Sequence, residues 1–192
     1  LEQGKTVELK EINKFIKDSG LVKLTWGNAS IISEDRSRIA IKPSGVDFSK
    51  LTAKDLSIVE ISTGSLISGL KPSVDTDIHL EVYRNFNNIN CVIHNHSKYA
   101  TSFAQAGIEI PIYGTTHADY FPGNIPLVPS LEEEEYGEYE LNIGRKVVSY
   151  LKENKRDPDT TAAVLLENHG VLLFSSDFKR IKESAIVLEE IA

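Results

Sequence analysis

Five histidines occur in the chain: His79, His94, His96, His117 and His169. Two of them form His94-Asn95-His96, directly after the apolar run Cys91-Val92-Ile93. On an extended strand residues i and i+2 share a face about 6.5–7 Å apart, so two imidazoles can converge on one ion. The same spacing also suits two polar residues at a strand end. His169 lies in Asn168-His169-Gly170, between the apolar stretches 163–167 and 171–174. Taken alone it is a hairpin tip. Taken with His94 and His96 it completes three imidazoles with an open position, the donor set of a catalytic metal site. A closed structural site would draw on several cysteines, and the chain has one, Cys91. Imidazole donors suit zinc, with other divalent ions open.

Two acidic side chains are candidates to work beside such an ion. Asp75 ends Ser73-Val74-Asp75, just ahead of a helical pattern, where it could be a plain N-cap or a carboxylate at the metal. Asp119 stands in Thr115-Thr116-His117-Ala118-Asp119-Tyr120, a run read as a non-periodic loop and a place for an acid/base or for a solvated turn. Gly27-Asn28 and Ser44-Gly45, with Lys42 near by and Ser73 as a further donor, have the make-up of anion-holding loops. Glycine admits close backbone N–H groups, and Lys42 adds a point charge suited to phosphate. Each pair taken singly is also an ordinary turn. No Walker or dinucleotide fingerprint is present. Cys91, Trp26 and the tyrosines read as packing, and Glu132–Glu135 as a solvated helix start.

The elements that must position these residues follow from periodicity. Helices are expected over 5–19, 52–56, about 75–86, 97–107, 132–152 and 177–192. Strands are expected over 29–33, 38–42, 57–61, 65–68, 91–94, 125–128, 163–167 and 171–174. Hairpin connections among them imply a largely antiparallel sheet with helices outside, an α/β arrangement in one domain over 1–192. The last helical pattern reaches Ala192 without a stop, so a further C-terminal segment is expected. The 192 residues carry 21 Lys+Arg against 28 Asp+Glu, a net charge of −7 that argues against nucleic acid as a partner. No apolar run is long enough for a membrane span, and no signal peptide is visible. The lone cysteine suits a reducing, cytoplasmic setting.

Six segments in order carry a more specific signal: Leu24–Asn28, Ile41–Asp47, His94–Ser97, Gly114–Phe121, Gly137–Glu140 and Asn168–Gly170. Together they resemble the class II aldolase and epimerase family of sugar-phosphate enzymes, from about Leu21 to the last residue. The resemblance implies a three-layer α-β-α fold with a mostly antiparallel central sheet. It implies a homotetramer of cyclic symmetry with active sites between subunits. It implies one Zn2+ per subunit on His94, His96 and His169, with Asp75 at the metal. Substrate contacts fall on Gly27, Asn28, Lys42, Ser44, Gly45 and the Ser73-Val74-Asp75 turn. Val74 departs from the epimerases, which place a second serine there. Aspartate rather than glutamate at position 75, with the 115–121 run, favours the epimerase branch. That branch interconverts L-ribulose 5-phosphate and D-xylulose 5-phosphate by breaking and remaking C3–C4. Asp119 is then one acid/base, and the other is a tyrosine beyond Ala192. The competing readings are an aldolase of the fuculose-phosphate type, a non-enzymatic scaffold like the adducin head, and a metal-binding sensor.

Overall fold

The computed structural model describes residues 1–192. Eight strands form one sheet: β1 (Asn28–Ile32), β2 (Arg38–Ile41), β3 (Ser57–Glu60), β4 (Leu66–Ser68), β5 (Cys91–Asn95), β6 (Leu127–Val128), β7 (Ala163–Leu166) and β8 (Gly170–Ser175). Their order is β4-β3-β2-β1-β5-β8-β7-β6. Every pairing is antiparallel except β6 with β7. Seven α-helices complete the chain: α1 (Gln3–Asp18), α2 (Thr76–Asn85), α3 (Lys98–Ala106), α4 (Thr115–Tyr120), α5 (Tyr139–Glu153), α6 (Pro158–Thr161) and α7 (Phe178–Ile191).

Side chains alternate across the central strands, and each face feeds its own core. Ala29 and Ile31 of β1, Cys91 and Ile93 of β5 and Leu173 of β8 join Leu9, Ile12 and Ile16 of α1, Ala100 of α3 and Leu188 of α7. Ile32, Val92 and Leu172 point the other way, to Ile78 and Val82 of α2 and Val147 and Leu151 of α5. The result is three layers, as expected. Strands β1, β5, β7 and β8 are buried at every position because helices cover both faces. Cys91 is buried, with its thiol pushed up by burial, so it is a core residue. No helix is long and apolar enough to cross a membrane.

Three expectations are corrected and one element is added, all in short or polar segments. Residues 52–56 form a turn, because the Asp55 carboxylate accepts from both the amide and the hydroxyl of Thr52 at 2.8 and 2.7 Å. The stretch 132–152 divides into a 3-10 segment, Glu133–Glu138, and α5. Residues 115–120, read as a loop, make the single helical turn and a half of α4. Pro158–Thr161 is a helical turn capped by the Asp157 carboxylate, which accepts from Thr160 N–H. Ser97 precedes α3 without a capping side-chain bond. The free N–H groups of Tyr99 and Ala100 instead donate to the Glu189 carboxylate of α7, at 2.9–3.1 Å.

Candidate active site

The antiparallel pairing of β1, β5 and β8 brings the distant motifs together. Asn28 lies opposite His94 across β1–β5, and His94 opposite Leu172 across β5–β8. The turn ahead of β8 then delivers His169 to the same place. Gly170 is required there by close approach: a Cβ would stand 2.7 Å from Asn95 O and 2.7 Å from His96 Cδ2. Gly27 is required for the same reason and by its φ of +82°, since a Cβ would meet His94 O at 2.9 Å.

The three imidazoles form a tight, mutually edge-on group with ring centroids 4.8–5.0 Å apart. One ligand atom from each lies within 4.8 Å of the others. His94 Nδ1–H donates to Val171 O at 2.9 Å, which leaves its Nε2 lone pair free. That Nε2 stands 3.0 Å from His96 Nε2. Burial, and then the charge of the neighbouring imidazoles, pushes His96 down to about 4 and His169 to about 3, against the opposing pull of Asp75. Both rings are therefore neutral near pH 7, with lone pairs crowded into one space. The chemistry of such a donor set fits a divalent metal.

Asp75 occupies the N-cap of α2, yet makes no capping bond. Its carboxylate turns to the cavity instead, accepting from Asn28 Nδ2 at 2.6 Å and Ser73 Oγ at 3.2 Å. Burial raises its pKa, while His94, His79 and the Asn28 hydrogen bond more than offset that and hold it below the usual carboxylate range. The three-imidazole group does not include it, so the carboxylate flanks the donor set. Asn28 Nδ2 also donates to Ser73 Oγ at 3.0 Å.

Gly27, Asn28, Lys42, Ser44, Gly45, Ser73, Val74 and Asp75 line the same cavity of about 310 Å³ as His94, His96 and His169. Ser44 N–H donates to Lys71 O at 3.0 Å, tying the 43–45 loop to the chain that leads to Ser73. The Lys42 side chain is buried over the Phe48 ring, and its Nζ donates to Thr25 O and Pro43 O at 3.3 and 3.2 Å. Burial pushes its pKa down to about 8, against the pull of Asp47 and Asp75.

Asp119 is the candidate that the fold does not bring to this cavity. It is exposed on α4 and absent from the cavity lining. His117, on the same helix, is buried with Nε2 2.9 Å from Gly123 O. Three lining residues are not among the candidates from sequence: Trp26 and Tyr139, which read as packing, and Glu140. Trp26 is exposed at the mouth, Tyr139 OH lies 3.5 Å from His169 Nδ1, and Glu140 completes the wall. Their visible signals are the Leu24–Asn28 and Gly137–Glu140 segments of the family resemblance.

The fold and the donor set together define a class. The model of the class II aldolase and adducin N-terminal domain matches residues 7–192, and the chain belongs to that family. Among solved structures, an L-fuculose 1-phosphate aldolase is 24% identical with a TM-score of 0.81, over 100% of this chain and 84% of that one. YgbL from Escherichia coli, a candidate aldolase/epimerase/decarboxylase, is 25% identical at TM-score 0.77 over 98% and 86%. The L-fuculose-1-phosphate aldolase from Thermus thermophilus is 20% identical at TM-score 0.76 over 98% and 91%.

Proposed function

We propose that the protein is a zinc-dependent, cytoplasmic epimerase that interconverts L-ribulose 5-phosphate and D-xylulose 5-phosphate. The observation that carries this reading is one cavity holding both the three imidazoles and the loops suited to a phosphate. His94, His96 and His169 would hold the ion, with Asp75 beside them. When bound, a divalent ion supplies Lewis-acid stabilisation of charge that develops on the ketose oxygens.

The protein's own residues do the rest. Ser44 and Gly45 offer donors to a phosphate beside Asn28 and Ser73, whose own donors are held by Asp75, and Lys42 adds a positive charge behind them. Holding the phosphate keeps the aldehyde fragment in place after C3–C4 cleavage, so that it turns and is attacked on its other face. Each face needs its own proton carrier. Asp75 is engaged by Asn28 and Ser73, and Asp119 is the candidate for one carrier. Because Asp119 is exposed and outside its own protomer's cavity, this role depends on a second protomer, as a homotetramer with shared sites would supply.

Zinc-loaded protein incubated with L-ribulose 5-phosphate should yield D-xylulose 5-phosphate without free glycolaldehyde phosphate. A fuculose-type aldolase is the second reading, supported by the relatives' names. It predicts released aldehyde, or condensation of dihydroxyacetone phosphate with an aldehyde. No conversion of either kind would overturn both. Within the epimerase reading, Asp119→Asn should keep zinc and substrate binding but lower turnover about 10²–10⁴-fold, roughly 3–5.5 kcal/mol of barrier. Full turnover in that variant removes the role, and lost zinc moves Asp119 to the metal.

A further inference from the structure

Behind Asp75 lies a buried polar ladder that the proposed chemistry does not use. Asp75, His79 and Tyr83 follow one another at four-residue steps on the N-cap and body of α2, so they share one helix face. Asn28 and Ser30 alternate onto one face of β1. The two rows meet rung by rung. Asn28 Nδ2 donates to Asp75 at 2.6 Å, Ser30 Oγ lies 2.7 Å from His79 Nδ1, and Ser30 Oγ lies 2.9 Å from Tyr83 OH.

The hydrogen atoms on these rungs can be counted. Tyr83 O–H donates to Ser30 O at 3.0 Å, which uses its only proton. The Ser30 hydroxyl must then donate to the Tyr83 oxygen, and His79 Nδ1–H must donate to Ser30 Oγ. Every contact is satisfied in that order alone. It puts the His79 proton on Nδ1, and with no acceptor facing Nε2 the neutral ring is favoured. Burial acts in the same direction and pushes the ring down to about 3. Nε2 is enclosed and finds no partner, and Asn28 Oδ1 is the second such acceptor on the ladder.

An enclosed acceptor without a donor opposes folding. The neighbours Ile78, Leu80 and Val82, on the flanks of this face, are fully buried apolar side chains. Stability therefore does not account for an imidazole at position 79. We propose that His79 is a positioning residue for Asp75, locked by Ser30 and Tyr83 so that it fixes the first turn of α2 against β1 and holds the carboxylate beside the three imidazoles. This rests on the reading of those imidazoles as a divalent-metal site.

Zinc affinity, measured by competition with a chelator, tests it alongside the unfolding temperature. His79→Leu should weaken zinc about 10–100-fold, the range of outer residues that orient a metal site, without lowering the unfolding temperature. His79→Asn keeps a donor toward Ser30 and should recover most of the loss. A folded His79→Leu protein with wild-type zinc affinity overturns the proposal. So does equal weakening by Leu and Asn in step with lost stability, which marks a structural role only. Should His79→Leu fail to fold, Ser30→Ala decides: weakened zinc is expected, and unchanged affinity overturns. Failure of the wild type itself to bind zinc removes the metal-site reading, and this one with it.

Discussion

The two faces of β1 do different work. Ala29 and Ile31 point into the core beneath α1 and α7, while Asn28 and Ser30 point at Asp75, His79 and Tyr83 of α2. Both faces are fully buried. The α1 face contains a polar side chain too, but Asn13 is satisfied at both ends, donating to Leu9 O at 2.9 Å and accepting from Ala29 N–H at 3.2 Å. On the α2 face, Asn28 Oδ1 and His79 Nε2 stay unpaired. Along β1 itself, the satisfied polar partner thus lies on the α1 side and the unsatisfied acceptors on the α2 side. The cavity with its convergent imidazoles lies at the end of the α2 side.

The sharpest way to break this division is a pair of substitutions, one per side. Ile31→Ala should cost about 2–5 kcal/mol of unfolding free energy, the usual range for a buried isoleucine cut to alanine. Below its unfolding midpoint it should still bind one zinc with wild-type affinity. His94→Ala should do the reverse, removing zinc binding while shifting stability less in metal-free protein. Urea titrations with and without zinc measure both. If Ile31→Ala disturbs zinc as much as stability, the two faces are not separate.

A smaller effect separates the phosphate loops from the metal within the α2-side cavity. Lys42→Met keeps the stem over Phe48 and removes the charge. A charge-assisted hydrogen bond is worth about 1.5–3 kcal/mol, or roughly 10- to 150-fold in affinity. The loss should appear in binding of the sugar phosphate and not of the unphosphorylated ketose, with zinc unchanged. Equal losses would place Lys42 in the fold of the 25–45 region, where it already ties Thr25 O to Pro43 O.

The contrast between the faces also explains what the sequence discloses. The apolar face is legible from period alone: Leu9, Ile12 and Ile16, or the alternation through Ala29 and Ile31, mark elements long enough to show a pattern. The imidazoles are legible because His94 and His96 are neighbours on a strand and His169 is followed by the glycine its turn requires. Short helices are illegible in the same terms. The six residues of α4 and the four of α6 complete too few turns for a period, and their backbone bonds depend on local partners such as Asp157. The 137–140 wall was hidden differently. Tyr139 and Glu140 sit where a 3-10 segment gives way to α5, so helical spacing does not say that they face the cavity. Nor does any pattern in one chain reveal the ladder from Asn28 to Tyr83. Its partners lie 47–53 positions apart, and only the docking of α2 on β1 aligns them.

The smallest effect expected is a difference in acid sensitivity, and its sign follows from the buried ring. His79 has a folded pKa pushed down to about 3 by burial, against about 6.5 in an unfolded chain. Between those values the unfolded state carries the proton and the folded state does not. Stability therefore falls as pH drops below about 6.5 and recovers as it rises, at up to about 1.4 kcal/mol per pH unit for one such group. His96 and His169 act in the same direction, with less weight because water screens the more open rings. Metal-free wild-type protein should thus lose urea resistance between pH 6.5 and 5. His79→Asn should show a slope shallower by about 1 kcal/mol per unit or less. Identical slopes would mean that the ring at position 79 takes up a proton within the fold, at its unpartnered Nε2.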